Sequence, residues 1–151
     1  DGTAWTQRSP AFDPGARFGH AMTYDARRQR TVLLGGFASQ STSTELFEWD
    51  GANWTARPAL PEPPRREANG HALAYDEARQ RVVLVGRSTR AVADVWEWDG
   101  TAWSQRAPGV PSMYASMGRL VEHSSRGRLL LFGGWDAATW EWNGFQWTPL
   151  S

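Results

Sequence analysis

The side chains that could do chemistry in this chain are arginines and aromatic rings in connecting segments of unequal length. Arginine offers a rigid fork of donors that binds carboxylates and phosphates, and an aromatic ring adds a flat apolar surface. This combination predicts an acidic sugar, a carboxylate or an acidic peptide as the ligand. The candidate ligand-binding residues are Arg17, Arg66, Arg87, Arg90, Tyr114 and Trp135.

The chain offers little for catalysis or for metal binding. Glu48, Glu97 and Glu141 resemble paired carboxylates for acid–base work, but each recurs at the same place in a repeat, which favours a structural partner for a nearby arginine. His20 and His71 also occupy equivalent repeat positions, and no histidine has close metal-ligand spacing around it. There is no nucleophile triad and no glycine-rich phosphate loop, so we expect no enzyme, no bound metal and no cofactor.

Composition narrows the class of partner. The 151 residues include 16 basic and 16 acidic side chains, and this balance gives no reason to expect a nucleic-acid or membrane partner. The chain has no cysteine, which excludes disulfides, thiolate nucleophiles and cysteine-type zinc sites. No stretch approaches the roughly 20 apolar residues that a membrane-spanning helix needs.

A repeated phrase indicates the architecture. The chain reads FEWDGANW at 47–54, WEWDGTAW at 96–103 and WEWNGFQW at 140–147, and a shortened copy, DGTAW, stands at 1–5. The last tryptophans of successive copies are 49, 49 and 44 residues apart. A fixed period in this range is typical of stacked structural repeats.

Each full repeat predicts four strands, which we call A to D. In the first, A covers 18–25, B is the apolar run at 30–34, C alternates over 45–49, and D follows an Asp-Gly hairpin turn at 54–57. The later repeats follow the same plan, with strands at 69–76, 81–86, 94–99 and 102–107, and then at 116–123, 128–134, 138–143 and 145–150. Four antiparallel strands per repeat describe a propeller blade.

These features together resemble the kelch repeat. Strand B ends in Gly35-Gly36 in the first repeat and in Gly133-Gly134 in the third, while the second has Gly86-Arg87. The kelch pattern Pro-x-x-Arg-x-x-His before strand A matches residues 14–20 in full. In the second repeat Ala68 stands at the arginine position, and in the third Ser116 does.

Three other propeller patterns fit less well. WD40 repeats also combine Gly-His with Trp-Asp, but the diglycines and the later Trp54 and Trp103 favour kelch. Sialidase-type Asp-boxes need a spacer between Asp and Gly, which are adjacent here. Galactose-oxidase-like enzymes also resemble kelch propellers, but their cofactor needs a cysteine, and this chain has none.

We therefore expect an all-β, kelch-like half-propeller. Residues 1–10 form an extra outer strand, and the blades span 11–58, 59–107 and 108–151. The kelch resemblance implies a ring of six or seven blades. Three blades alone would leave an uncovered apolar face at each end of the row. A second copy of the chain would close a six-bladed ring with two-fold symmetry. Alternatively, the chain is an excised or engineered part of a longer propeller.

The strand order places the site. The A–B and C–D turns lie on one face of the ring, the far face, and the longer B–C and D–A loops lie on the other, the near face. Variable loops on a rigid scaffold usually carry binding, so we expect the ligand at the near face around the central channel. Arg87 is of special interest because it replaces a repeat glycine.

The predicted function is a non-catalytic binding or scaffold module for a protein or a carbohydrate. The alternatives are a sugar-binding or sugar-processing propeller, or a fragment without its own ligand. The resemblance further implies export, because Trp-rich kelch-like proteins of bacteria are often exported.

Overall fold

The fold is described from a computed structural model. It describes residues 2–38, 40–58, 60–88, 93–106, 118–133 and 138–150. This part of the chain contains fourteen strands and one turn of 3-10 helix at Ser124–Arg126, and none of its helices has the length and apolar character to cross a membrane. The strands are β1 (Ala21–Asp25), β2 (Arg30–Leu34), β3 (Phe37–Ala38), β4 (Ser41–Thr42), β5 (Leu46–Trp49), β6 (Trp54–Arg57), β7 (Arg66–Asp76), β8 (Arg81–Ser88), β9 (Ala93–Trp98), β10 (Trp103–Arg106), β11 (Arg119–His123), β12 (Arg128–Phe132), β13 (Thr139–Trp142) and β14 (Trp147–Leu150).

Twelve of these strands form three four-stranded antiparallel sheets. Sheet 1 has the order β1-β2-β5-β6, sheet 2 has β7-β8-β9-β10, and sheet 3 has β11-β12-β13-β14. The first strands of the three sheets are neighbours, because β7 contacts both β1 and β11. The sheets therefore radiate from a shared inner edge, as propeller blades do. The prediction of an all-β fold built from four-stranded antiparallel sheets is confirmed.

Sheet 2 is buried on both faces, which explains the uninterrupted apolar run in β8. Val82 and Leu84 pack with residues of sheet 1 on one face, and Val83 and Val85 pack with residues of sheet 3 on the other. All four side chains are fully buried. Because successive side chains of a strand point to opposite faces, a strand between two sheets must be apolar at every position. Each such burial contributes roughly 1.5–3 kcal/mol.

The tryptophans of the repeated phrase pair within each sheet, where strand C meets strand D. Each pair has tilted rings, an arrangement that aromatic side chains favour. The ring-centroid distances are 5.4 Å for Trp49–Trp54, 5.5 Å for Trp98–Trp103 and 5.2 Å for Trp142–Trp147. In sheets 2 and 3 this pair helps to fill the space between neighbouring sheets.

The Asp-Gly and Asn-Gly pairs form the far-face turns as predicted from their chemistry. Asp50 Oδ1 accepts hydrogen bonds from the amides of Ala52 (2.8 Å) and Asn53 (2.7 Å), and the following Gly51 has φ of +101°. Only glycine adopts that backbone conformation without strain. The turns at Asp99 and Asn143 repeat the same pair of bonds.

The end of strand B differs between sheets 1 and 2 for a local reason. Gly35 and Gly36 have φ of +70° and +94°, so the chain turns sharply after β2. Gly86 instead stays extended within β8, and Arg87 pairs with Ala93. Strand β8, which has Arg87 in place of the second glycine, is thus longer than β2.

Two features of the first repeat differ from the sequence prediction. Part of the loop expected at 37–44 forms a small hairpin of β3 and β4. Residues 2–10, expected as an extra outer strand, form no strand in the single chain. The extra outer strand therefore stays a prediction for an assembly of two chains.

Candidate functional site

A cavity opens along the first strands of the three sheets. It has a volume of about 320 Å³ and is lined by equivalent positions of β1, β7 and β11 together with the residue before β1. The described residues that line it are His20, Ala21, Met22, His71, Ala72, Leu73, Arg119 and Leu120. The cavity therefore lies on the inner edge shared by the sheets, and we call it the axial cavity.

The polar side chains that line the axial cavity are two imidazoles and a guanidinium group. His20, His71 and Arg119 each follow a glycine. The strand pairing places Arg119, opposite Phe132, at the repeat position of Ala21 and Ala72, and His20 and His71 lie one residue before that position. No aspartate or glutamate is among the described lining residues. His20 and Arg119 are exposed to solvent, which leaves an imidazole and a guanidinium group accessible to a ligand.

His71 is the buried member of this set. Its Nε2 lies 3.2 Å from the carbonyl oxygen of Leu34, the last residue of β2 in sheet 1. Because a carbonyl oxygen can only accept, this contact assigns the proton to Nε2. The ring thereby joins sheet 1 to sheet 2 beside the cavity.

Arg17, a predicted ligand-binding residue, binds other groups of its own chain. Its side chain is only 4% exposed, and it donates to the carbonyl oxygens of Gly35 (3.0 Å) and Pro14. The guanidinium group also lies 4.8 Å from the centre of the Phe47 ring, and Nη2 lies 3.4 Å from Glu45. A side chain held in this way fixes the loop before β1 and does not present its charge to a ligand.

Arg66 has the same structural role in the second repeat. Its side chain is 3% exposed and forms an ion pair with Asp94. Asp94 corresponds to Glu45, the partner of Arg17, because each lies four residues before the tryptophan that follows the repeated glutamate, Trp98 or Trp49. The register between β7 and β8 shifts between Arg66 and His71, so Arg66, and not Ala68, is the structural counterpart of Arg17.

The remaining candidates differ in what the structure says of them. Arg87 is exposed near the end of β8 on the near face, and no described residue forms an ion pair with it. Arg90, Tyr114 and Trp135 lie outside the described residues. The structure thus brings none of the six candidates into the described lining of the axial cavity.

The recurring glutamates have structural partners. Glu48 is 1% exposed and accepts from Arg28 and Arg57, and Glu97 accepts from Arg106. Burial lowers the pKa of Arg28, but its bonds to Glu48 and Asp25 outweigh that effect and raise the pKa overall. The arginines therefore balance the negative charge of these buried carboxylates. Among the described residues, no cluster of three or more histidines and carboxylates could hold a metal ion.

The sequence analysis did not select His20, His71 or Arg119 for the site. The two histidines share one repeat position, which argued for packing, but that position also lies beside the common axis. The signal was available in the sequence as Gly-His, Gly-His and Gly-Arg before successive A strands.

Comparison with known proteins gives a distant likeness and no family. No protein-family model matches the chain, and no curated protein does. Among solved structures, the chain is similar to a fucose lectin from Kordia zhangzhouensis in complex with methyl-fucoside. The two are 14% identical, the match covers 87% of this chain and 97% of that chain, and the TM-score is 0.48. This likeness is too distant to assign a ligand here.

Proposed function

We propose that the chain is a non-catalytic binding module that takes an acidic saccharide into the axial cavity. The observation that carries the proposal is the lining: a guanidinium group and two imidazoles converge there, and no described lining residue carries a carboxylate. An anionic ligand meets only neutral or positive groups in such a cavity.

The residues suggest how such a ligand would bind. Arg119 offers two parallel N–H donors to the sugar carboxylate, and His20 can donate to or accept from a ring hydroxyl. Ala21 supplies apolar surface against the C–H groups of the sugar ring. A cavity of about 320 Å³ is at the small end of ligand sites, which favours one or two sugar units over an extended chain.

Binding is favoured over sugar processing. Most glycosidases use two carboxyl groups that flank the bond to be cleaved. The described lining offers no such pair, and the recurrent Glu48 and Glu97 are engaged by arginines in the part of the chain described here. We therefore assign recognition, and not hydrolysis, to the axial cavity.

We further propose that two chains assemble into a six-bladed ring. Among the described residues, sheets 1 and 3 each have one face that no other sheet covers, and both faces expose large apolar side chains. Met22 and Tyr24 are 45% and 54% exposed on sheet 1, and Val121 and Phe132 are 54% and 55% exposed on sheet 3. A second copy would also bring a second His20, His71 and Arg119 to the same axis.

A glycan array containing neutral and acidic saccharides, followed by calorimetry, tests the binding proposal. We expect methyl-glucuronide to bind and neutral methyl-fucoside to bind at least about tenfold more weakly, because a charge-assisted bidentate pair is lost. Arg119→Ala should weaken glucuronide binding by a similar factor. Arg27→Ala, which removes an exposed arginine from the far face, is the matched control and should leave binding unchanged.

Two results would overturn this proposal. Equal affinity for the neutral and acidic sugars would remove the role of charge, and Arg119→Ala binding like the wild type would move the site elsewhere. A glutamate-rich peptide belongs in the same calorimetry, since its carboxylates offer the same chemistry. Tighter binding of that peptide than of any acidic saccharide would replace the saccharide by a protein ligand.

A further inference from the structure

An arginine from one sheet packs on the far-face turn of the next sheet at both sheet boundaries. Arg28, in the turn between β1 and β2, lies so close to Gly100 of sheet 2 that an added Cβ at that glycine would collide with it. Arg79, in the turn between β7 and β8, lies in the same way against Gly144 of sheet 3. Its Nη2 donates to the carbonyl oxygen of Asn143. We call this the arginine–turn contact.

At each end of the row of three sheets, one partner of this contact is present without the other. Sheet 1 has the turn glycine, and sheet 3 has the arginine. Gly51 in sheet 1 has φ of +101°, close to +102° at Gly100 and +96° at Gly144, yet nothing lies within 4 Å of its Cβ position. Arg126 in sheet 3 occupies the position that Arg28 and Arg79 hold in the other sheets. Its side chain is 60% exposed, and the carboxylate that it contacts, Glu141, belongs to its own sheet.

The uncovered faces of sheets 1 and 3 lie beside Gly51 and Arg126. These two faces would meet in an assembly of two chains. In sheet 1 the uncovered face has Tyr24, Thr31, Trp49 and Trp54 in one cross-strand row. In sheet 3 the uncovered face carries Arg119 on the innermost strand, opposite Phe132, and apolar side chains on β11, β12 and β14. These are Val121, Leu130, Phe132 and Leu150. Within the chain, the corresponding faces of sheets 1 and 2, and of sheets 2 and 3, form the two core clusters.

We infer that the uncovered face of sheet 3 docks on the uncovered face of sheet 1 of a second copy of this chain. Arg126 of one copy then makes the arginine–turn contact on Gly51 of the other and donates to the carbonyl oxygen of Asp50. Because the contact continues the two boundaries inside the chain, two such contacts close six sheets around one axis. This inference rests on the two-chain ring proposed above and names the residues that form it.

Residues 2–10 have to leave the uncovered face of sheet 1 for this docking to occur. Arg8 and Pro10 lie across that face beside Met22, Trp49 and Trp54, with a cavity of about 420 Å³ between them. Residues 2–9 are exposed throughout, and Trp5 has no burial at all. Because residues 2–9 are exposed, their displacement costs little buried surface.

Light scattering after size exclusion, with sedimentation equilibrium for affinity, tests the inference. We expect wild-type protein at twice 16.9 kDa. Phe132→Glu should give monomers because it places a charge in the apolar contact, and Arg126→Ala should raise the dissociation constant about tenfold or more. Arg27→Ala, on the far face but not in the contact, should leave the dimer unchanged. Circular dichroism on each variant verifies that the fold is retained.

The outcomes separate the proposals. A wild-type monomer would overturn both the ring and the docking. A wild-type dimer that Phe132→Glu does not disrupt would overturn the docking face, and a dimer insensitive to Arg126→Ala would overturn the arginine–turn contact alone. An intact dimer that binds no acidic saccharide would overturn the binding function and support the assembly.

Discussion

The indole Nε1 of Trp98 donates a 3.2 Å hydrogen bond to Glu48 Oε1 across the boundary between sheets 1 and 2. Glu48 is almost completely buried and also accepts from Arg28 and Arg57. Trp142 occupies the equivalent position in sheet 3 and is equally buried, but its Nε1 has no partner among the described residues. Two tryptophans of one repeat position therefore differ by one charge-assisted hydrogen bond.

Substituting these tryptophans separates packing from hydrogen bonding. Trp98→Phe and Trp142→Phe remove similar volumes, but only Trp98→Phe also takes a donor from the buried Glu48 carboxylate. We expect Trp98→Phe to lower the free energy of unfolding by about 2 kcal/mol more than Trp142→Phe does. Urea unfolding of both variants measures this difference, and equal losses would contradict the role assigned to the bond.

Arg65 and Arg66 provide a matched pair of neighbouring arginines. Arg66 is buried against Asp94, and burial lowers its pKa although Asp94 opposes that shift. Arg66→Ala should cost about 3 kcal/mol because it leaves the Asp94 carboxylate buried without its cation. Arg65 is exposed, so Arg65→Ala should change stability by less than about 0.5 kcal/mol. Thermal or urea unfolding distinguishes the two, and a loss under about 1 kcal/mol for Arg66→Ala would contradict the structural role.

The turn at Asp99 should give the protein a defined pH dependence. Hydrogen bonds from the Thr101 hydroxyl and the Ala102 amide are the main causes that lower the pKa of Asp99 from 3.8 to about 2. Since the folded pKa is below the unfolded one, the carboxylate stabilises the fold above about pH 4. This stabilisation is lost as the pH falls toward 2.

Asp99→Asn tests that dependence, because Asn143 shows that an amide can make the same turn. Asp99 is exposed, so solvent screening keeps the expected loss at pH 7 below about 1 kcal/mol. The difference between wild type and Asp99→Asn in urea unfolding should shrink between pH 4 and pH 2. A difference that is constant over this range would show that the charge of Asp99 contributes nothing.

The strands were predictable from sequence because their causes are local. Alternation in β5, the apolar run of β8 and the Asp50-Gly51 turn each follow from one short stretch of residues. The three four-stranded sheets follow from repeating that pattern. A hairpin such as β3–β4 was missed because its two-residue strands are too short for any period to appear.

The site was harder to predict because side-chain direction depends on packing between sheets. Arg17 and Arg66 lie in the expected near-face segments, but the fold turns both inward to ion pairs. The register shift between Arg66 and His71 further hid their equivalence, since a sequence count aligned Ala68 with Arg17. Arg119 lines the cavity because it lies on β11, the first strand of sheet 3.

Nuclear magnetic resonance mapping of a methyl-glucuronide titration tests the axial cavity most directly. We expect amide shifts to change at residues 20–22, 71–73 and 119–120, which line the cavity, while the far-face turns at Asp50, Asp99 and Asn143 stay unchanged. Shifts confined to the far-face turns or to the outer strands, or no shift at saturating sugar, would contradict the claim that β1, β7 and β11 together form one binding site.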